Sequence, residues 1–258
     1  MKIVRPQDLF FYLKVFLFSF FLLLFVPPDA HSGDWRVSPI RLDFGRDSKT
    51  GVLTVSNDAD QKLQLQMKAF EWTQDAEGKD HYKETNDIIF FPKIMVHEKK
   101  EEKILRAGIK IPAVLTEKTY RLFIEEIPDP KRATQGVQVA IAIRFGVPIF
   151  VRPLKEEPKG EIVKFQMSKA AVSAVISNTG NVSFQIRNIK IRGKNLKGEE
   201  IFSEDLTGWY LLSGSKRLYT AQLPREICSN IVKLSIEVMT DKITLNGNLD
   251  ADSAMCIP

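Results

Sequence analysis

The sequence predicts an all-β protein built from two β-sandwich domains of similar size. Beyond residue 30, apolar residues do not recur at helical spacing but alternate with polar residues over short stretches. Turn-forming residues separate these stretches, and a charged segment with two prolines divides them into two groups. Many short strands of this kind are typical of sandwiches, and 258 residues suffice for two domains of about 100 residues each.

Residues 1–30 have the pattern of an export signal. Basic residues precede an apolar stretch, Val15–Val26, that is followed by Pro27 and Pro28. A run of about twelve apolar residues is too short to cross a bilayer comfortably, and the prolines break any helix. We expect a signal peptide that is removed on export. The alternative is an uncleaved anchor, in which Leu9–Tyr12 lengthens the apolar run.

The strand candidates of the first domain, residues 34–152, follow one another at short spacing. Pro92 interrupts one of them, which predicts an edge strand or a strand that changes sheets. The candidates are Trp35–Phe44, Val52–Ser56, Leu63–Met67, Ile88–Val96, Ile104–Ile109, Thr119–Ile127 and Gly136–Val151.

A hinge at residues 153–159 precedes the second domain, residues 160–258. Asn178–Asn181 is a turn signal inside it, and Asn181-Val182-Ser183 also matches a glycosylation sequon, a tripeptide that is common by chance. The strand candidates are Ile162–Met167, Ala171–Ile176, Phe184–Arg192, Lys216–Gln222, Ile231–Met239 and Ile243–Leu249.

Gly136–Val151 is the longest strand candidate. Large apolar residues occupy alternate positions along it, and small or polar residues lie between them. A strand places these two sets on opposite faces. Either the apolar face packs into its own domain, or part of this unusually long strand pairs with another chain by β-augmentation.

Cys228 and Cys256 are the only cysteines of the sequence. In an exported protein two cysteines favour one disulfide, with two buried free thiols as the alternative. The three histidines are scattered, and neither a nucleophile elbow nor a phosphate-binding glycine loop is present. We therefore expect no catalytic activity, no metal and no cofactor. The net charge of +5 is interleaved with acidic residues, which argues against nucleic acid as a partner.

An ordered series of motifs resembles the periplasmic pilus chaperones of the chaperone–usher pathway. The most specific is Tyr120–Pro128, and the others keep the family's order over nearly the whole mature chain. They are Val37–Phe44, Gly51–Asn57, Glu71-Trp72, Phe91–Ile94, Val147–Pro153 and Leu212–Arg217. The Val147–Phe150 segment is similar to that of the spore-coat-U-type branch.

The resemblance implies two immunoglobulin-like sandwiches in a boomerang arrangement, located in the periplasm. Such chaperones insert their long strand into the open groove of a pilus subunit and deliver the subunit to an outer-membrane usher. The resemblance assigns donor side chains to Val137, Val139, Ile141 and Ile143, whereas Phe145 and Val147 belong to the chaperone's own core. Self-association through the same strand is a further expectation for the free protein.

The family also holds the subunit's C-terminal carboxylate with two basic residues. Arg41 matches the first by its place in the Pro-Ile-Arg-Leu motif, but the lysine position falls on Pro148. Arg144, four residues earlier, is our candidate replacement. Glu126 and Arg152 match positions that form an interdomain salt bridge in many members.

Two other functions fit the same pattern less well. The first is an exported two-domain binding or adhesion module that uses strand addition on a non-pilus partner. It differs from a pilus chaperone in that Arg41 would not bind a carboxylate, because an anchor there matters only if the partner presents a free C-terminus. The second is a polysaccharide-binding sandwich, but Trp35, Trp72 and Trp209 are far apart in sequence and do not suggest an aromatic platform.

Overall fold

The described residues fold mainly into β-strands, with only two short helical turns. The structure is a computed structural model that describes residues 35–111, 114–128 and 142–257. The expected signal peptide and three of the expected donor residues, Val137, Val139 and Ile141, lie outside the described residues. Within the described ranges, no helix is both long enough and apolar enough to span a membrane.

The first sandwich packs two sheets face to face. One sheet has the order β1-β3-β8-β6, and the other has the order β2-β10-β9-β4-β5, with β7 also paired to β4. The strands are β1 Trp35–Ser38, β2 Leu42–Phe44, β3 Thr50–Asn57, β4 Leu63–Gln74, β5 Asp80–Glu84, β6 Ile88–Phe91, β7 Ile94–His97, β8 Glu102–Ile109, β9 Lys118–Glu126 and β10 Arg144–Val151.

Prolines divide two of the predicted strands between the sheets. Pro39 separates β1, which pairs with β3, from β2, which runs parallel to β10. Pro92 separates β6, which pairs with β8, from β7, which pairs with β4. Because proline has no backbone N–H to donate, a ladder is interrupted at both positions. The change of sheet predicted at Pro92 is therefore present, and the same break at Pro39 was not predicted.

The second sandwich has sheets of order β11-β12-β16 and β14-β13-β17-β18, and β15 also pairs with β13. A helical turn, α1 at Arg225–Cys228, and a 3₁₀ turn at Ser253–Cys256 close one end. The strands are β11 Gly160–Ser168, β12 Ala171–Asn178, β13 Phe184–Lys194, β14 Glu200–Leu206, β15 Tyr210–Leu211, β16 Lys216–Gln222, β17 Lys233–Thr240 and β18 Thr244–Asp250.

Alternating side chains build a separate core in each sandwich. In the first, Leu53, Leu105 and Ile149 come from three different strands and have no solvent exposure. In the second, Ile176 and Val238 are equally buried. Each such side chain contributes about 1.5–3 kcal/mol of transfer free energy, so the two cores stabilise the two sandwiches independently.

A disulfide joins Cys228 and Cys256, whose Cα atoms are 6.0 Å apart. The predicted pairing is confirmed. The bond ties the chain end to α1, and the carbonyl of Met255 accepts the N–H of Ala170 at 3.1 Å. Closing a loop of 28 residues stabilises the fold by about 3–4 kcal/mol in the chain-entropy account, so the tail is a structural part of the second sandwich.

His97 makes the stability of the first sandwich depend on pH. Its ring is fully buried, with Nε2 3.1 Å from the carbonyl of Val55, while Nδ1 has no hydrogen-bond partner in the described part of the chain. Burial lowers the pKa of His97 below its ordinary value of 6.5. The unfolded chain therefore takes up this proton at a higher pH than the folded chain does, and stability falls as the pH drops below about 6.5.

We expect His97→Gln to lose part of the acid sensitivity of the wild type. The measurement is the urea midpoint at several pH values between 7.5 and 5. His81→Gln is the control, because His81 is exposed on β5 and its loss leaves the buried ring in place. An unchanged pH dependence in His97→Gln would contradict the assignment.

Candidate functional site

The outer face of the β2-β10-β9-β4-β5 sheet carries a concentration of arginine and aromatic side chains. Alternation places Arg121 and Phe123 of β9 on this face, because Tyr120 and Leu122 point into the core with no solvent exposure. In the strand register Arg121 lies directly across from Pro148 of β10 and Phe70 of β4.

An aromatic cluster joins this face to the second sandwich. Trp72 and Phe150 come from the first sandwich, and Tyr210 and Leu212 come from the second. The Trp72 ring centre lies 6.1 Å from that of Phe150 and 5.5 Å from that of Tyr210. Trp72 and Phe150 are 1% and 0% exposed, so the cluster is a small third core between the two sandwiches.

Hydrogen bonds from the end of β4 surround the cluster. The Gln74 side chain donates to the carbonyl of Tyr210 at 2.9 Å and accepts the N–H of Leu212 at 2.9 Å. In the turn that follows β4, the carbonyl of Gly78 accepts a hydrogen bond from Arg217. Gly78 has φ of +77°, and a Cβ there would lie 2.7 Å from the carbonyl oxygen of Lys216. Glycine is therefore required for this close approach.

Asn181 links the second sandwich to both the first sandwich and the hinge. Its side-chain amide donates to the carbonyls of Leu115 at 3.0 Å and Lys155 at 2.8 Å. Its side-chain oxygen accepts the N–H of Glu157 at 2.7 Å. These three bonds use both N–H donors of the side-chain amide and one of the two lone pairs of its oxygen. The sequon is therefore a structural feature of the boundary between the sandwiches.

Glu117 lies beside Asn181 at the same boundary. It is 9% exposed, and its Oε1 accepts the N–H of Ser183 at 2.9 Å. Burial raises the pKa of the Glu117 carboxyl, against the opposing effect of the Ser183 hydrogen bonds.

The expected salt bridge between Glu126 and Arg152 is wrong. Glu126 ends β9, whereas Arg152 follows Val151, which pairs with Lys118 at the start of that strand. The two residues therefore lie at opposite ends of β9, and Glu126 instead accepts the indole N–H of Trp35 at 2.5 Å.

Arg152 takes part in a different ionic contact across the hinge. Its guanidinium lies 3.5 Å from Asp43 and 3.6 Å from Glu156. Glu156 in turn lies 3.1 Å from Lys242, in the turn between β17 and β18. A carboxylate in the hinge thus bridges one cation from each sandwich.

Arg41 lies next to the aromatic cluster, just before β2. Its guanidinium donates two hydrogen bonds to Asp43, at 2.9 and 2.7 Å, and its Cζ lies 4.1 Å from the Phe150 ring centre. Burial lowers the pKa of Arg41, but the hydrogen bonds and charge of Asp43, with a contribution from Tyr210, outweigh it and raise the pKa. With 28% of its side chain exposed, Arg41 remains accessible as a fixed cation.

Arg121 lies on the other side of the cluster and is 6% exposed. Its Cζ lies 4.0 Å from the Trp72 ring centre, and its Nη1 donates to the carbonyl of Gly146 at 3.0 Å. Its Nε and Nη2 are buried and have no hydrogen-bond partner among the described residues. Burial lowers the pKa of Arg121, and the nearby Tyr82, Asp80 and Tyr210 oppose this effect. The side chain stays charged at neutral pH, because an arginine guanidinium does not deprotonate in proteins. Arg121 is therefore a buried cation near Asp80 and Tyr82, with two donors that make no close hydrogen bond among the described residues.

Arg144 does not join Arg41. It lies four residues before Pro148 on β10, about 13 Å along the strand, whereas Leu42, next to Arg41, pairs with Ile149. Its Nε lies 2.5 Å from Glu125, and its Cζ lies 3.7 Å from the Phe123 ring centre. Arg144 is thus already paired at a different point of the face.

The described part of the long strand is β10, from Arg144 to Val151. Val147 is fully buried and Phe145 packs against the first core, in line with their expected place in the chaperone's own sandwich. Ile143 is half-buried, and its carbonyl accepts the N–H of Glu126 at 3.0 Å. The backbone pairing between β9 and β10 therefore continues to Ile143, one residue before the start of β10.

Residues 35–156, which comprise the first sandwich and the start of the hinge, match the family model of the pili and flagellar-assembly chaperones, PapD N-terminal domain. The first sandwich thus matches the model of the pilus-chaperone N-terminal domain over its whole length. The resemblance stated from the sequence motifs is confirmed by this match. No sequence among the curated proteins matches the chain.

Solved structures of pilus chaperones share the fold of this chaperone-like chain. The CsuC–CsuE chaperone–tip adhesion subunit complex from archaic chaperone-usher pili of Acinetobacter baumannii is 17% identical, covers 82% of this chain and 97% of its own, and has a TM-score of 0.57. The YadV chaperone is 14% identical, with coverage of 84% and 99% and a TM-score of 0.54. The Salmonella enterica SafA pilin–SafB chaperone complex is 13% identical, with coverage of 85% and 98% and a TM-score of 0.51. These structures confirm the fold class, two immunoglobulin-like sandwiches.

Sequence analysis did not assign a role in the site to Arg121 or Glu117, and it noted Asn181 only as part of a turn and a sequon. Arg121 lies within the motif Tyr120–Pro128, and alternation along that motif is enough to place it on the outer face. Its position across from Pro148 depends on strand register, which the sequence does not reveal. The described residues contain no group of three or more side chains that could hold a metal ion.

We expect Asn181→Ala to destabilise the protein by about 1–2 kcal/mol, because it removes three hydrogen bonds at the boundary, two of them at exposed carbonyls that water can reach. The measurements are thermal unfolding and hydrogen exchange of the Glu157 amide, which loses its acceptor. Asn246→Ala, at an exposed position of β18, is the control. Equal effects of the two substitutions would show that Asn181 does not hold the boundary.

Proposed function

We propose that the protein is a periplasmic chaperone that binds pilus subunits and holds a subunit's C-terminal carboxylate between Arg41 and Arg121. It completes the subunit's sandwich with a donated strand and delivers the subunit to an outer-membrane usher. The observation that carries the proposal is the Arg121 guanidinium, 6% exposed, with Nε and Nη2 lacking any partner within the described residues.

A carboxylate supplies what the Arg121 side chain lacks. A buried cation without a counter-charge is costly, and it is stabilised when a partner brings both opposite charge and hydrogen-bond acceptors. Nε and Nη2 lie on one edge of the planar guanidinium, and this edge matches the two oxygens of a carboxylate. The third group, Nη1, is already used by the carbonyl of Gly146, which fixes the orientation of that edge.

Arg41 supplies a second cation at the same cluster. The ring centres of Trp72 and Phe150 are 6.1 Å apart, and each ring packs against one arginine. Asp43 keeps Arg41 in place and neutralises part of its charge. In this arrangement Arg121 provides a buried charge that Asp80 and Tyr82 stabilise from nearby without a hydrogen bond to Nε or Nη2, and Arg41 provides a fixed, accessible donor. Arg121 thus replaces Arg144 as our candidate for the second basic anchor and compensates for Pro148.

The Trp209 side chain lies where a ligand approaches Arg121. Its ring centre is 5.7 Å from the Arg121 Cζ, 41% of the residue is exposed, and its indole N–H reaches Asp80 at 3.3 Å. That contact is longer than a typical N–H···O hydrogen bond, and it restrains the ring weakly. In the proposed binding of the subunit, the Trp209 side chain moves outward and lets the carboxylate reach Arg121.

The donated strand lies immediately before β10. Alternation along 136–143 places Val137, Val139, Ile141 and Ile143 on one face, and β-augmentation uses such a face to fill pockets of the partner while the backbone pairs with it. The carboxylate anchor, formed by Arg41 before β2 and Arg121 on β9, sets which residue of the subunit meets which donor, because the register of a strand is fixed once one end is held.

Two of the structurally similar proteins carry pilus proteins of the kind proposed here. CsuC is bound to the tip adhesion subunit CsuE, and SafB is bound to the pilin SafA. These complexes support a pilus subunit as the partner. The periplasm as the location and delivery to an usher are proposed on the resemblance of the first sandwich to the pilus-chaperone domain.

We expect Arg121→Gln and Arg41→Gln each to reduce by at least about tenfold the amount of pilus subunit that co-purifies from the periplasm. A charge-assisted hydrogen bond is worth about 1.5–3 kcal/mol, which corresponds to this factor. Each pilus subunit encoded near the gene is co-expressed with the chain, and recovery is compared at equal chaperone levels. A second readout is the tryptophan emission of the complex, because Trp209 moves on binding.

Arg144→Gln is the matched control for this experiment. It removes an arginine from the same sheet face, but one already paired with Glu125. Its subunit recovery is expected to stay within about twofold of the wild type. Wild-type recovery with Arg121→Gln would overturn the anchor while leaving strand donation open.

Strand donation is tested separately, by placing the same charges on one or the other face of the proposed donor strand. We expect Val139→Asp with Ile141→Asp to abolish subunit recovery, because two carboxylates would enter apolar pockets. Gln138→Asp with Ala140→Asp adds the same charge to the opposite face and is expected to retain recovery. If both double variants lose the subunit, or neither does, the two faces are equivalent and the donor assignment is wrong.

A further inference from the structure

A groove crosses the outer face of the other sheet of the first sandwich. It has a volume of about 320 Å³ and is formed by parts of β3, β6 and β8. Arg41 and Arg121 belong to the opposite sheet, so the groove is separate from the proposed carboxylate anchor.

The walls of the groove are exposed apolar side chains brought together by strand register. Val52 of β3, Arg106 of β8 and Phe91 of β6 form one row across the sheet. Ile89 adjoins Gly108 in the next row. Val52, Ile89 and Phe91 are 45%, 53% and 74% exposed. Ile89 and Phe91 form an apolar strip along the edge strand, and Arg106 separates this strip from Val52.

Gly108 forms the floor of the groove. A Cβ at this position would lie 3.3 Å from both the Lys49 carbonyl oxygen and the Thr50 Cγ2. With no side chain there, the space between Thr50 and Ile89 stays open. The groove is thus a consequence of one glycine within an otherwise continuous row.

Arg106 is the only charged side chain that lines the groove. It is exposed, and no hydrogen bond or ion pair joins it to another described residue. A guanidinium on an apolar surface favours a carboxylate over neutral or basic groups. The ligand that complements this surface is therefore apolar and acidic.

Among the strands of residues 35–111, 114–128 and 142–257, none pairs with the outer edge of β6, beside the groove. β6 is the last strand of its sheet, and the N–H of Lys110 donates to the carbonyl of Asp87. Bonded pairs alternate in an antiparallel ladder, so Ile89 and Phe91 bond to β8. The backbone groups of Ile88 and Phe90 consequently point to the open edge, where an added strand can pair.

We infer that this groove binds an extended acidic segment of a partner protein as an added strand on β6. The segment's apolar side chains pack against Ile89 and Phe91 on the edge strand, and a glutamate between them reaches over β6 to pair with Arg106. The added strand lies two strand spacings, about 10 Å, from β8, a distance that an arginine and a glutamate side chain bridge together. The shorter aspartate is expected to bind more weakly.

The test uses the full isotope-labelled chain and capped synthetic peptides of about eight residues, in which valine alternates with threonine. All threonines are kept. Only the valine at the centre of the peptide is replaced, by Glu, Asp, Gln or Lys. We expect the Glu peptide to shift the amide signals of Ile88, Phe90 and Gly108, and to bind about fivefold more tightly than the Gln peptide. The Lys peptide is expected to bind most weakly.

Arg106→Gln is expected to bind the Glu and Gln peptides equally, and Phe91→Ser to bind neither. Arg36→Gln is the control, because Arg36 lies on the same sheet but is paired with Asp58 at 3.0 Å. Absence of amide shifts at millimolar peptide, equal binding of the Glu and Lys peptides, or preferential binding to anionic phospholipid vesicles would overturn the inference. The variants lie outside the proposed anchor, so pilus-subunit recovery is expected to be unchanged.

Discussion

The aromatic cluster of Trp72, Phe150 and Tyr210 is the contact on which the arrangement of the two arginines at the boundary between the sandwiches depends. Two arginines pack against its rings, at 4.1 Å for Arg41 on Phe150 and 4.0 Å for Arg121 on Trp72. Because the rings come from both sandwiches, the positions of the two cations and the contact between the sandwiches are set by the same side chains. A change in that contact would change the geometry of the charged site as well.

Much of the fold was accessible from the sequence because alternation is a local signal. The long apolar strands and the sheet change at Pro92 follow from residues within a few positions of one another. The short or polar strands β5, β14 and β15 were not predicted, since their side chains are mostly half-buried or exposed and carry little periodic signal. Their pairing is decided by tertiary contacts instead.

The site was predictable only where a residue's role depends on its own motif. Arg41 follows from its motif, and it lies at the cluster. The pairing of Glu126 with Arg152 failed because β9 and β10 run antiparallel, which places the two residues at opposite ends. Arg121 was missed for a related reason, since its importance comes from lying across from Pro148 on a strand more than twenty residues away in sequence. Register between distant strands is the information that a single sequence lacks.

The hydrogen bonds of Asn181 have a consequence for producing the protein. Its amide nitrogen is the atom that oligosaccharyltransferases modify in a sequon, and here it contacts the carbonyls of Leu115 and Lys155. In a eukaryotic secretory host, a sugar attached to the Asn181 nitrogen of the nascent chain would lie where the Leu115 and Lys155 carbonyls pack in the folded protein. It would therefore prevent the two sandwiches from making contact. Protein from yeast or animal cells would then contain two folded sandwiches that do not contact each other. Protein exported by a bacterium that does not glycosylate this sequon would keep the contact.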